Sequence, residues 1–328
     1  MPTPDHSIFE ITDRAQFEPL CLETFQFQAN NCEIYQSYLR LTEHNPQQVR
    51  AMEEIPFLPI ELFKTHTVYC GSHPAQHLFT SSATSGMTPS QHHIANLSLY
   101  EESCTRAFQL FLGAPDGYAI LALLPSYLER QGSSLVYMVD KLMQLSGAPE
   151  NGYYLHNYEA LYRQLSLLQN QKKRTLLFGV SFALLDFIEH YNLDFPDLEV
   201  VETGGMKGRG IETTRTELHQ KLRQGFGCSH IHSEYGMAEL LSQAYAMDGV
   251  HFSTPPWMKV VIRDLHDPSM LLPYGQQGGI NIIDLANRYS CSFIETQDMG
   301  VLHADNTFEL YGRIPFAELR GCNFLIYM

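Results

Sequence analysis

The middle of the sequence alternates short apolar segments with amphipathic ones, and this alternation constrains the fold more than any other feature. Reading along the chain predicts a strand at 76–80, a helix at 98–112, a strand at 118–124, helices at 133–145 and 161–169, a strand at 175–179, a helix at 182–191, a strand at 198–202 and a helix at 211–224. Strands that alternate with helices form a mostly parallel sheet covered on both faces. The sequence therefore predicts an α/β fold.

The two ends of the chain have a different pattern. Residues 15–43 predict one long helix that stops before Asn45-Pro46, and 55–64 predicts an extended segment turning into a short helix. After Trp257 short strands separated by turns are predicted at 258–264, 279–284, 291–296 and 308–312. We therefore expect an α/β body over 1–255 and a smaller β-rich subdomain over 256–328.

The composition excludes several classes of protein. With 44% hydrophobic and 17% charged residues in 328, the chain can bury a large core and is not intrinsically disordered. Lys and Arg total 21 against 36 Asp and Glu, for a net charge of −15. Such an acidic chain is a poor general binder of nucleic acid or of anionic membranes, although a local site for a small anion remains possible.

The sequence predicts neither a membrane span nor a secretion signal. The longest apolar run, 118–125, is far shorter than the ~20 residues that cross a bilayer, and 1–14 lacks a basic start followed by an apolar stretch. The seven cysteines include no CxxC pair, so neither a disulfide framework nor a zinc site is indicated. We expect a reduced, cytoplasmic protein. The cysteines are Cys21, Cys32, Cys70, Cys104, Cys228, Cys291 and Cys322.

A hydroxyl-rich segment follows the first predicted strand. Residues 79–91, FTSSATSGMTPSQ, carry seven serines and threonines around one glycine. Hydroxyls and backbone N–H groups in a tight turn bind phosphate oxygens, although no Gly-Lys-Ser/Thr of a Walker loop is present. The segment is thus a candidate phosphate loop, and a solvated turn is the alternative.

Two further segments combine glycine with polar or aromatic residues. Residues 202–210, ETGGMKGRG, lie between a predicted strand and helix, where glycines let the backbone approach a flat or charged ligand. In 233–240, SEYGMAEL, Tyr235 offers an aromatic face and Glu239 a ligand for a hard cation such as Mg²⁺. The alternatives are an ordinary flexible loop and a plain turn, and His230 and His232 are more simply packing residues than metal ligands.

Taken together, these segments resemble the adenylate-forming superfamily of acyl- and aryl-CoA ligases in order and spacing. SSATSGMTPS is similar to the Ser/Thr/Gly-rich phosphate loop, TGG at 203–205 to the glycine turn beside adenine, and EYGMAE to the YGMTE motif. The segment QDMG at 297–300 resembles the ribose-binding motif, and Gly312-Arg313 the glycine–arginine pair at the hinge. Ala83, Ser90 and Ala238 depart from that pattern, standing where the superfamily usually has glycine, lysine and threonine.

Within the superfamily the sequence is most similar to the LuxE-type acyl-protein synthetases. The similarity lies in IPFLPIELFK at 55–64, in Ser90 and in AELRGCN at 317–323, and it extends over nearly the whole chain. It implies an adenylate-forming body without the mobile C-terminal domain of full-length ligases. It also implies ATP and Mg²⁺ as cofactors, a carboxylic acid of the fatty-acid class as substrate, and an acyl-accepting reductase or carrier protein as partner.

The resemblance also implies a role for each motif residue, and we expect the motif segments to converge on one cleft. Glu239 would bind Mg²⁺, and Arg313 would neutralise charge on the phosphate or ribose side. The residues implied to bind phosphate are Ser81, Ser82, Thr84, Ser85 and Gly86, and those implied to position adenosine are Gly204, Gly205, Tyr235, Gly236 and Asp298.

The acyl acceptor implied by the resemblance is a thiol. Cys322 is the candidate because thiolates are strong nucleophiles and Arg320 lies nearby in sequence. The alternative for Cys322 is a buried structural cysteine, which is what we expect of the other six. Two other functions remain open, namely a CoA-directed acyl or aryl ligase without its mobile domain and a non-catalytic scaffold protein, the latter suggested by Ala83, Ser90 and Ala238.

Overall fold

The computed structural model describes residues 4–71, 74–81, 88–125, 129–204 and 214–314. Its α-helices are α1 (Arg14–Asn31), α2 (Glu33–Leu41), α3 (Leu62–Thr65), α4 (Leu97–Leu112), α5 (Ser134–Ser146), α6 (Tyr158–Asn170), α7 (Ser181–His190) and α8 (Arg215–Phe226). Its strands are β1 (Leu58–Pro59), β2 (His77–Thr80), β3 (Gln91–Ile94), β4 (Ala119–Leu123), β5 (Gly152–Tyr153), β6 (Thr175–Val180), β7 (Glu199–Thr203), β8 (His230–Tyr235), β9 (Ala244–Ala246), β10 (Met258–Arg263), β11 (Gln277–Asp284), β12 (Phe293–Leu302) and β13 (Phe308–Arg313). Short 3₁₀ helices lie at Pro4–Glu10, Pro46–Gln48, Met52–Glu54, Pro115–Gly117 and Leu285–Asn287. None of the helices described here has both the length and the apolar composition needed to cross a bilayer.

The chain divides into two compact units that interleave along the sequence. The first unit comprises Met1–Ser103, Met237–Ser242 and Ser253–Met328, and the second comprises Cys104–Gly236 and Gln243–Phe252. These units group residues by their contacts, whereas the domains expected from the sequence, 1–255 and 256–328, are consecutive stretches. The consecutive division stays a prediction.

The second unit contains a six-stranded sheet in the order β5-β4-β6-β7-β8-β9. All of its neighbouring strands run parallel except β8 and β9, which pair antiparallel. The mostly parallel sheet predicted from the alternation of strands and helices is therefore confirmed, except that the strand predicted at 76–80 pairs antiparallel with β3 in a separate two-stranded sheet. Strand β4 is buried along its whole length, as expected of a strand covered on both faces.

Helices α6, α7 and α8 cover one face of this sheet. Alternate residues of β4, Ala119, Leu121 and Leu123, point to that face, because successive side chains of a strand point to opposite sides. On α6 the residues that meet them, Leu161, Leu165 and Leu168, follow helical spacing. Each such fully buried leucine contributes roughly 1.5–3 kcal/mol to the free energy of folding through the hydrophobic effect. This packing holds α6 firmly against the sheet.

The first unit is built on a five-stranded sheet in which β1, β12, β11 and β10 follow one another and β13 pairs with β12. The pairs β10–β11, β11–β12 and β12–β13 are antiparallel, and β1 runs parallel to β12. The β-rich character predicted beyond Trp257 is confirmed. Because β1 comes from Leu58–Pro59, the extended segment predicted before α3 is confirmed as well.

The single long helix predicted over 15–43 is wrong. The backbone of Cys32 is extended, with φ −98° and ψ 106°, so α1 ends and α2 begins at this residue. Phe25 of α1 and Tyr35 of α2 meet edge to face with ring centroids 6.1 Å apart, and both pack on Phe293. Packing against the sheet thus overrides a helical pattern that continues through the break.

Candidate functional site

The residues predicted to bind nucleotide and metal are divided between the two units and the undescribed stretches. The first unit holds Ser81, Glu239, Asp298 and Arg313, and the second holds Gly204, Tyr235 and Gly236. Ser82, Thr84, Ser85, Gly86, Gly205 and Cys322 lie outside the described residues. The expectation that all four motif segments converge on one cleft stays a prediction.

Ser81 and Ser90 tie together the two ends of the hydroxyl-rich segment. The backbone N–H of Ser81 donates to the carbonyl of Ser90 over 3.1 Å, and the N–H of Ser90 donates to Ser81 Oγ over 2.9 Å. These contacts extend the hairpin of β2 and β3, in which Thr80 pairs with Gln91. Ser81 therefore closes the base of the candidate phosphate loop, and as a hydroxyl it keeps one hydrogen that it can donate.

Glu239 is a buried carboxylate in the first unit, with 5% of its surface exposed. Burial raises the pKa of Glu239, and the hydrogen bond from Ser90 and the charges of Lys64 and Arg313 offset this only in part. A divalent cation would supply the missing positive charge, because a nearby cation stabilises the ionised form. The environment of Glu239 therefore fits the role of a Mg²⁺ ligand.

The backbone around Glu239 is held by buried polar side chains. Asn287 Nδ2 donates to the carbonyl of Glu239 over 2.7 Å, and the ring of His92 binds the carbonyl of Ala238 through Nδ1 over 2.8 Å. Asp284 accepts from the backbone N–H groups of Leu241 and Ser242, each over 2.9 Å. These hydrogen bonds with buried side chains hold the backbone on both sides of Glu239 and so fix the direction in which its side chain points.

The state of His92 follows from its two contacts. Its Nδ1 must donate, since a carbonyl can only accept, and its Nε2 lies 2.8 Å from the hydroxyl of Ser290. Burial lowers the pKa of His92 to about 4. The ring is therefore neutral at physiological pH, and Ser290 donates to Nε2.

Asp298 and Arg313 lie opposite each other on neighbouring strands. They are register partners in the antiparallel pair of β12 and β13, where directly opposite side chains are about 4.5–5.5 Å apart at Cβ. The register shifts between Met299 and Gly300, next to Asp298. The structure thus brings the predicted ribose-binding carboxylate and the predicted hinge arginine together in the first unit.

In the second unit Gly204 directly follows β7 and Tyr235 is the last residue of β8, so both lie at the carboxyl ends of adjacent parallel strands. Thr203 and Glu234 are register partners in β7 and β8, so the residues after them lie at the same edge of the sheet. Gly204 has a φ of +61°, which favours glycine, and no atom lies within 4 Å of where a Cβ would stand. Ligands of open α/β sheets bind at this edge, which makes Gly204 and Tyr235 well placed for that purpose.

The turn after β8 is tightly packed. A Cβ on Gly236 would lie 2.5 Å from Glu234 Oε1, so a side chain at this position would displace the carboxylate. The ring of Tyr235 meets Phe252 edge to face with centroids 6.0 Å apart. Gly236 therefore lets the Tyr235 turn lie close against Glu234.

Comparison with solved structures identifies the fold. No protein-family model and no curated protein matches the sequence. The chain is similar to 2-hydroxyisobutyryl-CoA ligase in an open conformation with 2-HIB-AMP and CoA, at TM-score 0.71 and 14% identity, covering 93% of this chain and 71% of that one. It is also similar to ATP-bound MatB from Rhodopseudomonas palustris (TM-score 0.54, 13% identity, 72% and 47% covered) and to the luciferase-like enzyme from the mealworm Zophobas morio (0.54, 14%, 74% and 59%). The fold is that of the adenylate-forming enzymes.

Several polar residues of this adenylate-forming fold were not predicted from the sequence. In the first unit they are Asp284, Asn287 and His92, which hold the segment around Glu239. In the second they are Glu202 and Glu234, both buried at the carboxyl ends of their strands. For Asp284, Glu202 and Glu234 the sequence signal is a charged residue near the carboxyl end of a strand, as in INIID at 280–284, and His92 and Asn287 have no such signal.

Glu234 is expected to make stability depend on pH. Burial raises its pKa from 4.5 to about 7, and the nearby charge of Glu202 adds to this, while a hydrogen bond from Thr203 acts in the opposite direction. Between these values the folded protein keeps a proton that the unfolded chain has lost, so stability falls as pH rises from about 4.5 to about 7. Glu234→Gln should be more stable than wild type at pH 8, by at most ~3 kcal/mol, and equal to it below pH ~4.

Urea unfolding at several pH values measures this difference. Glu199→Gln is the matched control, since Glu199 lies on the neighbouring strand β7 and is half-buried beside Arg174. If the difference in free energy of unfolding between wild type and Glu234→Gln stays constant from pH 4.5 to pH 8, then Glu234 is already ionised in the folded protein over that range.

Proposed function

We propose that this protein activates a carboxylic acid of the fatty-acid class with ATP, as an acyl-adenylate, and then transfers the acyl group to a protein thiol. The observation that carries the proposal is the adenylate-forming fold over 93% of the chain, combined with the motif order read from the sequence. An acyl-accepting reductase or carrier protein in the cytoplasm would be the partner.

The first half-reaction solves a leaving-group problem. A carboxylate cannot expel oxide, so it first attacks the α-phosphorus of ATP, forming a carboxyl–phosphate bond while the bond to pyrophosphate breaks. The products are acyl-adenylate and pyrophosphate, and AMP is then a good leaving group. This chemistry depends on positioning and on neutralising phosphate charge more than on acid–base groups.

Glu239 would hold Mg²⁺, which neutralises phosphate charge when bound. The buried carboxylate, with a pKa raised by burial, supports this role because it gains from a positive charge. Asn287 and His92 would keep its backbone in place. Arg313 would add positive charge beside Asp298.

The remaining motif residues would bind the nucleotide. Asp298 would accept hydrogen bonds from the ribose hydroxyls, and Tyr235 would stack on adenine beside Gly204, with Gly236 admitting the close turn. The other residues of this proposal are Gly205 at the glycine turn and Ser81, Ser82, Thr84, Ser85 and Gly86 on the phosphates.

Cys322 would carry out the second half-reaction. Its thiolate attacks the acyl carbonyl, a thioester bond forms, and AMP leaves with the bridging oxygen and the electron pair of the bond between that oxygen and the acyl carbon. All six cysteines in the described part of the chain are buried. A buried thiol is poorly placed to receive an acyl group, and this supports the choice of Cys322. Burial raises the pKa of Cys21 to about 12 and of Cys228 to about 11, so these thiols are unreactive at neutral pH.

A second candidate function is an acyl- or aryl-CoA ligase. It is favoured by the similarity to 2-hydroxyisobutyryl-CoA ligase, whose structure contains 2-HIB-AMP and CoA. A CoA ligase would acylate free CoA whether or not Cys322 is present, whereas an acyl-protein synthetase would acylate its own thiol.

ATP–pyrophosphate exchange tests the proposal across a panel of acids, from acetate through long fatty acids to aryl acids. We expect exchange that requires Mg²⁺ and is fastest with a fatty acid. Exchange with aryl or short acids only would contradict the fatty-acid class. No exchange with any acid would favour a non-catalytic scaffold, which the departures at Ala83, Ser90 and Ala238 first suggested.

A further inference from the structure

Glu202 in the second unit is the centre of a buried polar cluster. It is the fourth residue of β7, and 2% of its surface is exposed. One carboxylate oxygen accepts from Ser181 Oγ; the other accepts from Ser233 Oγ over 2.9 Å and lies 3.4 Å from Arg215 Nη1. His219 Nε2 is 3.8 Å from that second oxygen and 3.1 Å from Ser233 Oγ. We call these five side chains the Glu202 cluster.

The Glu202 cluster joins four segments at the carboxyl edge of the parallel sheet. Ser181 begins α7 directly after β6, Ser233 lies on β8, and Arg215 and His219 lie on the first turns of α8. Ser181 Oγ is also 3.3 Å from the carbonyl of Gly204, two residues beyond Glu202. The cluster therefore contacts the backbone of the predicted glycine turn.

A second branch of contacts runs from Glu202 to Tyr235. The guanidinium of Arg215, paired with Glu202, lies over the ring of Phe252 at 4.9 Å. Phe252 in turn meets the ring of Tyr235 edge to face, at 67°. Contacts of this kind are each worth about 0.5–1.5 kcal/mol, so the orientation of Tyr235 depends on where Arg215 is held.

The charge of Glu202 makes a purely structural role costly. Burial acts to raise its pKa, but nearby His219, the charge of Arg215 and the hydroxyls of Ser181 and Ser233 outweigh it, so the pKa is lowered. Taking an ion pair out of water often costs more than the pairing returns, and apolar residues of similar volume are commonly as stable. Glu202 is a buried charge with four polar partners, at the edge of the sheet where ligands of such folds bind. A role in positioning neighbouring residues explains this arrangement better than a role in stability.

We propose that Glu202 is a positioning residue for nucleotide binding, holding Gly204 through Ser181 and Tyr235 through Arg215 and Phe252. This inference rests on the proposed function, since Gly204 and Tyr235 are the residues assigned there to adenosine. Glu202 itself need not touch the nucleotide.

The test compares ATP binding and exchange kinetics in Glu202→Gln with a matched control. Glu202→Gln keeps the shape of the side chain and removes its charge. Glu199→Gln does the same on the same strand, where Glu199 accepts from Tyr118 and pairs with Arg174 at the amino end of β7. We expect Glu202→Gln to weaken binding of Mg·ATP in calorimetry by about tenfold or more, the effect of misplacing two contacts.

The kinetic pattern separates positioning from general loss of structure. In ATP–pyrophosphate exchange, Glu202→Gln should raise KM for ATP by about tenfold and leave KM for the acid within about threefold of wild type. Glu199→Gln should leave both KM values unchanged even where it lowers the melting temperature. Ser233→Ala, which removes one hydrogen bond to Glu202, should raise KM for ATP by about threefold to tenfold. If Glu202→Gln does not fold, this variant tests the positioning role of Glu202 in its place.

Each other outcome overturns a stated claim. Wild type that binds no ATP overturns the proposed function and this inference together. Wild type that binds ATP, with equal binding in Glu202→Gln, or in Ser233→Ala where Glu202→Gln does not fold, overturns the inference alone. A loss of ATP affinity that Glu199→Gln shares in proportion to its lost stability would show that Glu202 acts only on folding.

Discussion

Glu239→Gln is expected to lower the rate of ATP–pyrophosphate exchange by about 10²-fold or more. The amide keeps the shape of the side chain, the contact of its backbone carbonyl with Asn287 and the neighbouring contact of His92 with Ala238, but it removes the negative charge that would bind Mg²⁺. Asp298→Ala should have an effect of the same order, because it removes the anchor proposed for the ribose. Steady-state exchange at saturating acid, with circular dichroism to establish folding, measures both.

The control for both variants is Glu309→Gln. Glu309 lies on β13, the strand of Arg313, and pairs with His303 over 2.9 Å. Exchange by this variant should stay within about threefold of wild type, as expected of a substitution outside the site. Rates within a few-fold of wild type in folded Glu239→Gln and Asp298→Ala would mean that the roles implied by the family resemblance do not apply here.

Cys322→Ser is expected to abolish covalent acylation and to leave exchange unchanged. With ATP, Mg²⁺ and the preferred acid, wild type should acquire an acyl label that neutral hydroxylamine removes, as it does from a thioester. The first half-reaction does not use the thiol, so only the second is lost. Mass spectrometry of peptides measures the position of the label, and pyrophosphate exchange measures the first step.

Cys228→Ser is the matched control for this variant. Cys228 is buried in the second unit, and burial raises its pKa to about 11, so its replacement should leave the label in place. Label on a cysteine other than Cys322 would refute the acyl-carrier role assigned to Cys322. Formation of a CoA thioester by both wild type and Cys322→Ser would favour the CoA ligase.

The parallel sheet was predictable because its signal is local and repeated. Apolar strands such as 118–124 and 175–179 are bounded by turns and separated by helices, and few arrangements can bury them. The break at Cys32 was not predictable in this way. It depends on Phe25 and Tyr35 both packing on Phe293, more than 250 residues away in sequence, and no pattern within 15–43 records that contact.

In the candidate site, too, some residues are predictable from local sequence and others depend on contacts between distant parts of the chain. Tyr235 and Glu239 belong to a short motif whose residue types suggest their chemistry, whereas the role of Asp298 is implied by the family resemblance alone. The residues around them are recognisable only after folding: His92 reaches Ala238 across 146 positions of sequence, and Gln28 reaches Asn287 across 259. The hydrogen bonds of Glu202 likewise join four segments, so a single glutamate at the end of a strand gave no sign of its partners.

The central claim is that a carboxylate oxygen attacks the α-phosphorus of ATP, and isotope transfer tests it most directly. The preferred acid, labelled with ¹⁸O in both carboxyl oxygens, is incubated with the protein, Mg·ATP and hydroxylamine, which turns acyl-adenylate into hydroxamate and AMP. Mass spectrometry should find one ¹⁸O atom in each AMP formed and none in pyrophosphate. Acid-dependent turnover that yields unlabelled AMP, or that places the label in inorganic phosphate alongside ADP, would contradict adenylation.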